Sequence, residues 1–485
     1  LIRRQRQMCI RDSAPNVTGE TTENLQTMST FLGWGSEPAV WTIDEGNDYP
    51  RLTWENKPGE PISLVLSDLL TGAGTENNPY LIYTSDELNL IGLFFSEWDK
   101  SFKLMADIDL SGFTGEEFNI IGYKGTEFTG FFNGNDHTIS NFSYISTDAK
   151  YIGFFRYIGS GGEIKDLGII NVDIETVTAN YVGGVTGHNS GIVSNCYIKG
   201  SVTGDSYVGG LVGQNEGMIS NCYTDGTFAG TDLYVGGLVG SNEQYGTVSN
   251  CYATGFVTGY KYVGGLVGMV TDSSAVSNCY AIGSVTGNVY IGGLVGYVMS
   301  TNSLFIKSFW NSDVNPLLDG IGNGSDPNVI GETTENMQTE STFTSAGWDF
   351  VGEMVNGTED IWRMCVDDVN YPMFWWEFLS GDFDCPDGVD SNDLEILCEQ
   401  WLFEEIPADL APDGGDGVVN FLDWAVFAEG WQIAEDYESL SAFAEQWLKT
   451  GSHYLNADIA PAPAGDKIVN MLDFAVLADN WLEGF

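Results

Sequence analysis

Positive charge is scarce in this sequence. The 485 residues include 18 Lys and Arg against 68 Asp and Glu, which gives a formal net charge of −50 at pH 7. A chain this acidic repels phosphate groups, so nucleic acid is excluded as a partner and anionic membrane surfaces are disfavoured. The scarcity of Arg and Lys also argues against a polysaccharide lyase, because such enzymes place cations beside their acidic sugars.

Long apolar runs and histidine are also scarce. No run of 18 apolar residues occurs, and the sequence therefore predicts no membrane-spanning helix. The three histidines are His137, His188 and His453, and none of them is followed by Glu. The HExxH zinc site of metallopeptidases is therefore absent from the sequence.

The most prominent feature of the sequence is an internal repeat. The block YVGGLVG, or a close variant of it, returns at spacings of 26, 27, 28 and 28 residues, and its full copies carry Ser-Asn-Cys-Tyr further on. The copies begin at Tyr181, Tyr207, Tyr234, Tyr262 and, truncated, Tyr290, after a degenerate copy at Tyr151. A fixed period in this range indicates one structural unit stacked on itself.

The composition of the repeat indicates strands. β-Branched and aromatic residues dominate each unit, Gly or Asn ends every run, and no apolar stripe of helical period appears. A few short strands per unit fit one coil of a right-handed parallel β-helix, in which equivalent residues of successive coils stack ~4.8 Å apart. We therefore predict a mainly β fold built on this solenoid.

Two positions of each repeat predict ladders of stacked side chains. The asparagine before the cysteine is expected at a bend, where Asn tolerates left-handed backbone; it recurs as Asn195, Asn221, Asn250 and Asn278. The cysteines are predicted to stack as small buried hydrophobic residues, because thiols in register one coil apart are poorly placed for disulfides. They are Cys196, Cys222, Cys251 and Cys279. The alternative, a metal–thiolate row, lacks the CxxC pairs of such sites.

The Gly-rich centre of the repeat resembles the GLUG motif of bacterial surface and secreted proteins. The matching GGLVG segments are Gly209–Gly213, Gly236–Gly240, Gly264–Gly268 and Gly292–Gly296. The segment from Asn78 onwards looks like the first coils of the same β-helix family. This resemblance implies an extracellular or cell-surface location and an adhesive or surface-associated function.

Related Trp-rich segments flank the repeats. Residues 19–31 match 331–343, and Trp41 and Tyr49-Pro50 match Trp362 and Tyr371-Pro372. We predict that such segments cap an open sheet edge, with stacking on carbohydrate as their alternative role. The upstream copy is expected to close an earlier array that was lost.

The sequence thus predicts six segments. They are an adaptor-derived artefact at 1–13, a cap remnant at 14–57, a linker at 58–77, the GLUG β-helix at 78–310, a Trp-rich C-terminal cap at 311–379 and a loop–helix region at 380–485. The first is assigned because Met8–Ser13 matches the translation of a sequencing adaptor. A signal peptide is expected to have been lost with a truncated N-terminus.

The C-terminal region consists of Asp-rich loops followed by short amphipathic segments. Asp416–Asp423 places oxygen donors at the spacing of positions 5 to 12 of a calcium loop, Asp466–Asp473 repeats that spacing, and Asp382–Asp393 spans twelve residues. These units resemble dockerin-like modules. The resemblance implies a small all-α calcium-binding domain whose partner is a cohesin-like or other surface protein.

The candidate calcium ligands offer carboxylate, amide or backbone carbonyl oxygens. They are Asp382, Asp384, Asp387, Asp390, Asp393, Asp409, Asp416, Val418, Asn420, Asp423, Asp458, Asp466, Ile468, Asn470 and Asp473. The alternative role of the carboxylates is to cap helices and solvate turns. Whether Cys385 and Cys398 form a disulfide stays open at this stage.

These features favour a non-catalytic extracellular or cell-surface repeat protein. Its β-helix is expected to serve adhesion, display or contact with polysaccharide, and its calcium-dependent tail to serve anchoring or complex assembly. The alternatives are a β-helix carbohydrate-active enzyme, either a lyase or a glycosidase, and a fragment of a larger enzyme whose catalytic domain lies upstream. The sequence identifies neither the ligand nor the inward face of the VGGLVG strands, since both faces are apolar.

Overall fold

The computed structural model describes residues 66–377, apart from 147–149, 177, 352–354, 358 and 366–368, together with the backbone of three earlier strands. The chain divides into two compact units, Leu1–Thr334 and Glu335–Phe485. The first unit contains a mainly β parallel solenoid of about eight turns, as the repeats predict. Among all the residues that the structure describes, no helix is long and apolar enough to cross a membrane.

A small antiparallel sheet precedes the solenoid. Its strands are Trp41–Ile43, Arg51–Leu52 and Glu60–Pro61. Trp41 pairs with Leu52, and in the second unit the matching Trp362 pairs antiparallel with Phe374. The two Trp-rich copies therefore share a hairpin register, in agreement with the internal duplication.

Parallel strands form the first long ladder of the solenoid. In order they are Tyr80–Ile82, Ser101–Leu104, Phe131–Asn133, Glu163–Glu175, Ile192–Gly204, Met218–Ser220, Thr247–Ser249, Ala275–Ser277 and Leu304–Ile306. Each pairs with equivalent residues one coil away, so Val193 faces Ile219 and Val248 faces Val276.

Further strands continue this side of each coil beyond the asparagine bend. One run contains Ile108–Asp109, Thr138–Ser140, Tyr223–Gly230, Tyr252–Ala253, Tyr280–Ala281, Ser308–Asn311 and Val329–Glu332. The other contains Ser143–Ile145, Phe256–Thr258 and Val285–Thr286. The long strands Glu163–Glu175 and Ile192–Gly204 take part in both runs.

The YVGGLVG blocks form the opposite side of each coil as two strands joined at the Gly-Gly step. The first strands are Asn180–Val182, Ser206–Gly209, Leu233–Gly236 and Lys261–Gly264. The second are Phe155–Ile158, Thr186–Asn189, Val212–Asn215, Val239–Asn242 and Val267–Val270, and Asp319–Ile321 extends this side. Val289–Val298 runs through both positions.

Glycine allows these paired strands to lie backbone against backbone. A Cβ on Gly240 would stand 2.5 Å from the carbonyl oxygen of Gly213 and 2.6 Å from the carbonyl carbon of Tyr207. Both atoms belong to the main chain of neighbouring strands, so only glycine fits without moving a coil. The sequence did not identify which residues of the VGGLVG strands point inward. In the structure Val208, Leu211 and Val212 do so, and all three are fully buried.

Stacked ladders fill the core, as the repeat predicts. The four repeat cysteines are free thiols and fully buried, and each lies close to the backbone carbonyl two residues earlier, as Cys222 Sγ does at 3.1 Å from Ser220 O. The four preceding asparagines have φ between 50° and 52°. At this bend Asn221 Nδ2 donates to Asn195 Oδ1 of the previous coil at 3.2 Å.

A short helix lies at the N-terminal end of this core. Ser85–Leu93 begins with a capping box, in which Glu87 N donates to Thr84 Oγ1 and Thr84 N donates to Glu87 Oε2. Leu88 and Ile91 of this helix are fully buried in the same cluster as the solenoid core. Short 3-10 turns lie beside it at Leu66–Asp68 and Phe95–Glu97.

Parallel pairing continues past the predicted solenoid end at Trp310. Ser308–Asn311 pairs with Val329–Glu332, one coil further on. Trp310 is buried, and its ring occupies the space where Gly293 has no side chain. The aromatic residue at this point thus belongs to the core of a continuing coil.

The described part of the second unit has an aromatic core. Its helices are Thr334–Met337, which begins at the unit boundary, and Glu340–Thr344; its strands are Trp362–Arg363 and Met373–Phe374, followed by the 3-10 turn Trp375–Glu377. Trp348 and Trp362 are fully buried, with ring centroids 4.6 Å apart. These two tryptophans form core contacts, which does not fit the alternative that they stack on carbohydrate.

Candidate functional site

The predicted calcium ligands, from Asp382 to Asp473, lie outside the described residues, as do Cys385 and Cys398. Within the described part of the chain, no group of three or more His, Cys, Asp or Glu could hold a metal ion. The candidate site that the structure does show lies elsewhere, on the side of the solenoid formed by the YVGGLVG blocks.

A row of stacked tyrosines follows the first residue of each block. Consecutive ring centroids are 4.4–5.6 Å apart, and four of the five interplanar angles are 23° or less. We call this row the tyrosine ladder; it consists of Tyr151, Tyr181, Tyr207, Tyr234, Tyr262 and Tyr290. Five of these side chains are half-buried, and Tyr290 at the end is 42% exposed.

The ladder tyrosines share an unusual backbone conformation. All six have φ between 56° and 66°, the left-handed region that bulky residues rarely adopt. Each such residue costs about 1–2 kcal/mol relative to ordinary backbone. Because the conformation recurs in six coils, the fold consistently turns these rings to the surface at this cost, and an observed strain of this kind supports a hypothesis of function.

The three central ladder hydroxyls hold their protons more firmly than a free tyrosine does. Burial raises the pKa of Tyr181, Tyr207 and Tyr234, and neighbouring phenols and Glu243 add to the effect. The ring faces are covered by stacking, so solvent meets ring edges and hydroxyl groups. This part of the surface can therefore exchange hydrogen bonds but offers few open aromatic faces.

Polar side chains form a second row beside the ladder. Strand register aligns His188, Gln214 and Ser241 on successive coils. His188 lies against Tyr157, with ring centroids 4.8 Å apart. Gln214 Nε2 donates to Glu216 Oε1 at 3.3 Å and to Glu243 Oε2 at 3.1 Å, so one amide joins two carboxylates from adjacent coils.

Burial shifts the protonation of this polar row. The pKa of Glu243 is raised, chiefly because burial penalises its charged form. The pKa of His188 is lowered, again chiefly by burial, although Glu216 at 3.5 Å from its Nε2 opposes the shift. His188 is therefore mainly neutral at pH 7, and Glu243 keeps a proton more readily than an exposed glutamate does.

A shallow pocket adjoins the polar row. It has a volume of about 380 Å³ and is lined by Gln244, Tyr245, Asp272, Ser273, Ser300 and Asn302, from loops of three successive coils. Gln244 connects the two features, because its Nε2 also donates to Glu216 Oε1 at 2.6 Å. We call this feature the loop pocket.

A second tyrosine stack lies on the other side of the coil and is buried. Tyr223, Tyr252 and Tyr280 are at most 4% exposed, with centroids 4.8 and 4.9 Å apart. The residue before each tyrosine is the core cysteine, and neighbouring residues of a strand point to opposite faces, so these tyrosines lie on the outer face of the strand and are buried largely by their own stacking. Stacked tyrosines thus occur on both sides of the solenoid, and only the ladder leaves them partly exposed along its whole length.

An amide ladder that was not predicted lies under the candidate site. Asn189, Asn215 and Asn242 are fully buried. Asn189 Nδ2 donates to Asn215 Oδ1, and Asn215 Nδ2 donates to Asn242 Oδ1, both at 2.8 Å. The recurring asparagine that ends VGQN and VGSN was the available signal, and it holds the strands that carry the polar row in register.

Comparisons with known proteins identify the repeat. Residues 204–229, 231–258 and 259–286 match the GLUG motif. These three repeats are GLUG motifs. An alignment of 133 residues, which covers 26% of the chain, shows 35% identity to a protein of Evansella cellulosilytica provisionally named a Gly-rich membrane protein. A second alignment, of 150 residues and covering 29% of the chain, shows 31% identity to the protein named halomucin of Haloquadratum walsbyi.

The matched part of this chain spans only a small share of those relatives. The matches span 15% of the Evansella protein and 2% of halomucin. Among solved structures, a crystal structure from Bacteroides ovatus, provisionally named an immunoglobulin A1 protease, has a TM-score of 0.47 and 21% identity. That match covers 63% of this chain and 94% of the other.

Proposed function

We propose that this protein is a non-catalytic extracellular or cell-surface repeat protein, and that its β-helix presents the tyrosine ladder for adhesion, with polysaccharide as the contacted material. The observation that carries the proposal is the ladder itself, which repeats six strained tyrosines at the surface. The GLUG repeats and the membrane-protein name of one relative support the location.

The geometry of the ladder suits a repeating ligand better than a compact one. Its hydroxyl-bearing edges recur every 4.4–5.6 Å along the solenoid axis. A polymer laid along this axis can meet the same hydrogen-bonding group at each coil, so weak single contacts add up. A glycan supplies hydroxyl groups throughout its length, and these can exchange hydrogen bonds with the phenol groups of the ladder.

Phenylalanine substitution tests the proposal without removing the rings. We expect a full-length variant with Tyr181→Phe, Tyr207→Phe and Tyr234→Phe to keep its melting temperature, since stacking is retained, and to lose most binding to insoluble cellulose, chitin or mannan. The matched control carries Tyr223→Phe and Tyr252→Phe in the buried stack. Unchanged retention of the ladder variant on every polysaccharide that the parent protein binds would contradict a contact role for the hydroxyls.

The C-terminal region is proposed to be a calcium-dependent anchoring or assembly module. Its Asp-rich loops place several carboxylates close together in the sequence, where repulsion opposes folding until a divalent cation neutralises them. A cohesin-like or other surface protein is the proposed partner. The full chain should show a calcium-dependent thermal transition that chelator abolishes and that Asp423→Ala weakens, whereas Asp205→Ala in the solenoid should leave it unchanged.

One observation favours glycoside hydrolysis as a second candidate function. Glu216 and Glu243 face the same amide of Gln214, and the raised pKa of Glu243 suits a general acid beside an ionised partner. Release of reducing ends from a bound polysaccharide, abolished by Glu243→Gln, would support this function. Binding without any such release supports the non-catalytic proposal.

A further inference from the structure

The loop pocket has the size and location of a ligand subsite. Its volume is about 380 Å³, and it is open rather than enclosed, which suits part of a chain-like ligand better than a compact small molecule. Loops from three successive coils line it, so it extends over two coil rises, on the order of 10 Å. Gln244 places it directly beside the polar row, and a ligand in the pocket can extend towards the tyrosine ladder.

The pocket lining combines one open aromatic ring with neutral polar groups. Tyr245 is 76% exposed, in contrast to the half-buried ladder tyrosines whose faces are stacked. Around it stand the amides of Gln244 and Asn302 and the hydroxyls of two serines. An aromatic face that packs against C–H groups, ringed by amides and hydroxyls, is the chemistry that binds a sugar ring.

The loops that carry these groups are held in a strained arrangement. Gln244 and Tyr245 have φ of 48° and 70°, and Asp272 and Ser273 of the next coil have φ of 52° and 62°. Tyr245 N donates to Asp272 O at 3.2 Å, which ties the two loops together. The side chain of Gln244 is held by Glu216, so the pocket wall is ordered before any ligand arrives.

Charge decides between neutral and acidic sugars. The lining contains a carboxylate, Asp272, and no Lys or Arg, and Glu216 lies behind Gln244. The whole chain carries a formal charge of −50. A uronic acid or sulfated sugar would meet repulsion here, whereas a neutral sugar can donate its hydroxyl hydrogens to the carboxylate.

We infer that the loop pocket is a subsite for one or two residues of a neutral glycan, with Tyr245 as the stacking platform and Gln244, Asp272 and Asn302 as hydrogen-bonding groups. This inference rests on the proposed function and names the class of polysaccharide involved. It places the specificity of the surface in the pocket, while the ladder supplies a repeated, less selective contact.

Binding of the full chain to soluble polysaccharides tests the inference. The probes are neutral mannan, xyloglucan and dextran and acidic polygalacturonate, compared by affinity electrophoresis and calorimetry. We expect at least one neutral probe to bind, and Tyr245→Ala and Asn302→Ala to weaken that binding tenfold or more without changing the melting temperature. The control Tyr83→Ala removes a tyrosine that is 47% exposed on the first coil and should change nothing.

The other outcomes separate the two proposals. If Tyr245→Ala binds neutral glycans as the parent does while the ladder phenylalanine variant does not, the pocket inference is wrong and the proposed function stands. Preferential binding of polygalacturonate through Tyr245 overturns the neutral class. If the parent protein binds none of the soluble or insoluble polysaccharides, both proposals fail.

Discussion

Replacing Gly240 by alanine tests the physical reason for glycine in the GLUG motif. The added Cβ would stand 2.5 and 2.6 Å from main-chain atoms of Gly213 and Tyr207, where ordinary contacts are 3.4–4 Å. Overpacking typically costs about 1–3 kcal/mol, and we expect the upper end because main chain cannot rotate aside as a side chain does. At roughly 2–4 °C per kcal/mol, the melting temperature should fall by about 6–12 °C.

Gly112→Ala is the matched control for this substitution. A Cβ at Gly112 has nothing within 4 Å, so the loss of chain entropy in the unfolded state should stabilise the protein by about 0.4–1 kcal/mol. Calorimetry and urea unfolding of both full-length variants measure the difference, which has opposite signs at the two positions. Equal melting temperatures for the two variants would refute the argument that close backbone approach requires glycine in the motif.

Three further predictions concern the interior and the polar row. Asn215→Ala should destabilise the protein by about 1–3 kcal/mol in urea unfolding, because it leaves buried amide groups of Asn189 and Asn242 without their partner; a change below about 0.5 kcal/mol would contradict the amide ladder. The four repeat cysteines should react with a thiol reagent only at the rate of unfolding, since they are fully buried and the reagent cannot reach them in the native protein; rapid labelling of the native protein is the contrary result. Glu243→Gln should stabilise the protein at pH 7 and lose that advantage below pH 4.5. The raised pKa of Glu243 in the folded protein means that the parent protein is most stable below the ordinary value of 4.5, where Glu243 is protonated, and loses this stability as pH rises through the folded-state pKa. A pH-independent difference would argue against this.

The repeat register could be predicted from the sequence because identical residues are constrained to stack. A period of 26 to 28 residues determines which residues are equivalent, and the pairing of Val193 with Ile219 follows that period. The asparagine bends and the buried thiols follow as well, since Asn tolerates left-handed backbone and Cys is small and apolar. These properties belong to the residue type itself and do not depend on which residues lie in the neighbouring coils.

The candidate site could not be predicted in this way because it depends on contacts between unlike residues of different coils. Glu243 meets Gln214 at a separation of 29 residues, and Gln244 meets Glu216 at 28. Neither pair is visible as a motif, and both follow only once the coils are aligned and the loop lengths are known. The left-handed tyrosines were missed for the opposite reason, since local preference argues against that conformation.

In the tyrosine ladder the backbone conformation that the fold imposes is one that tyrosine disfavours. The cost of this conformation can be compared with the gain from stacking. Left-handed backbone costs about 1–2 kcal/mol for each tyrosine, and a stacked aromatic pair returns about 0.5–1.5 kcal/mol beyond its buried area. The two are of similar size, so stacking permits the conformation but gives no clear gain over a residue that favours it. Asparagine fills the left-handed bend on the other side of every full GLUG coil, from Asn195 to Asn278. The half-buried rings gain further from their buried area, so stacking and burial together can offset the strain. The part of each tyrosine that remains in solvent is its hydroxyl edge, and this edge is what the ladder offers to a ligand.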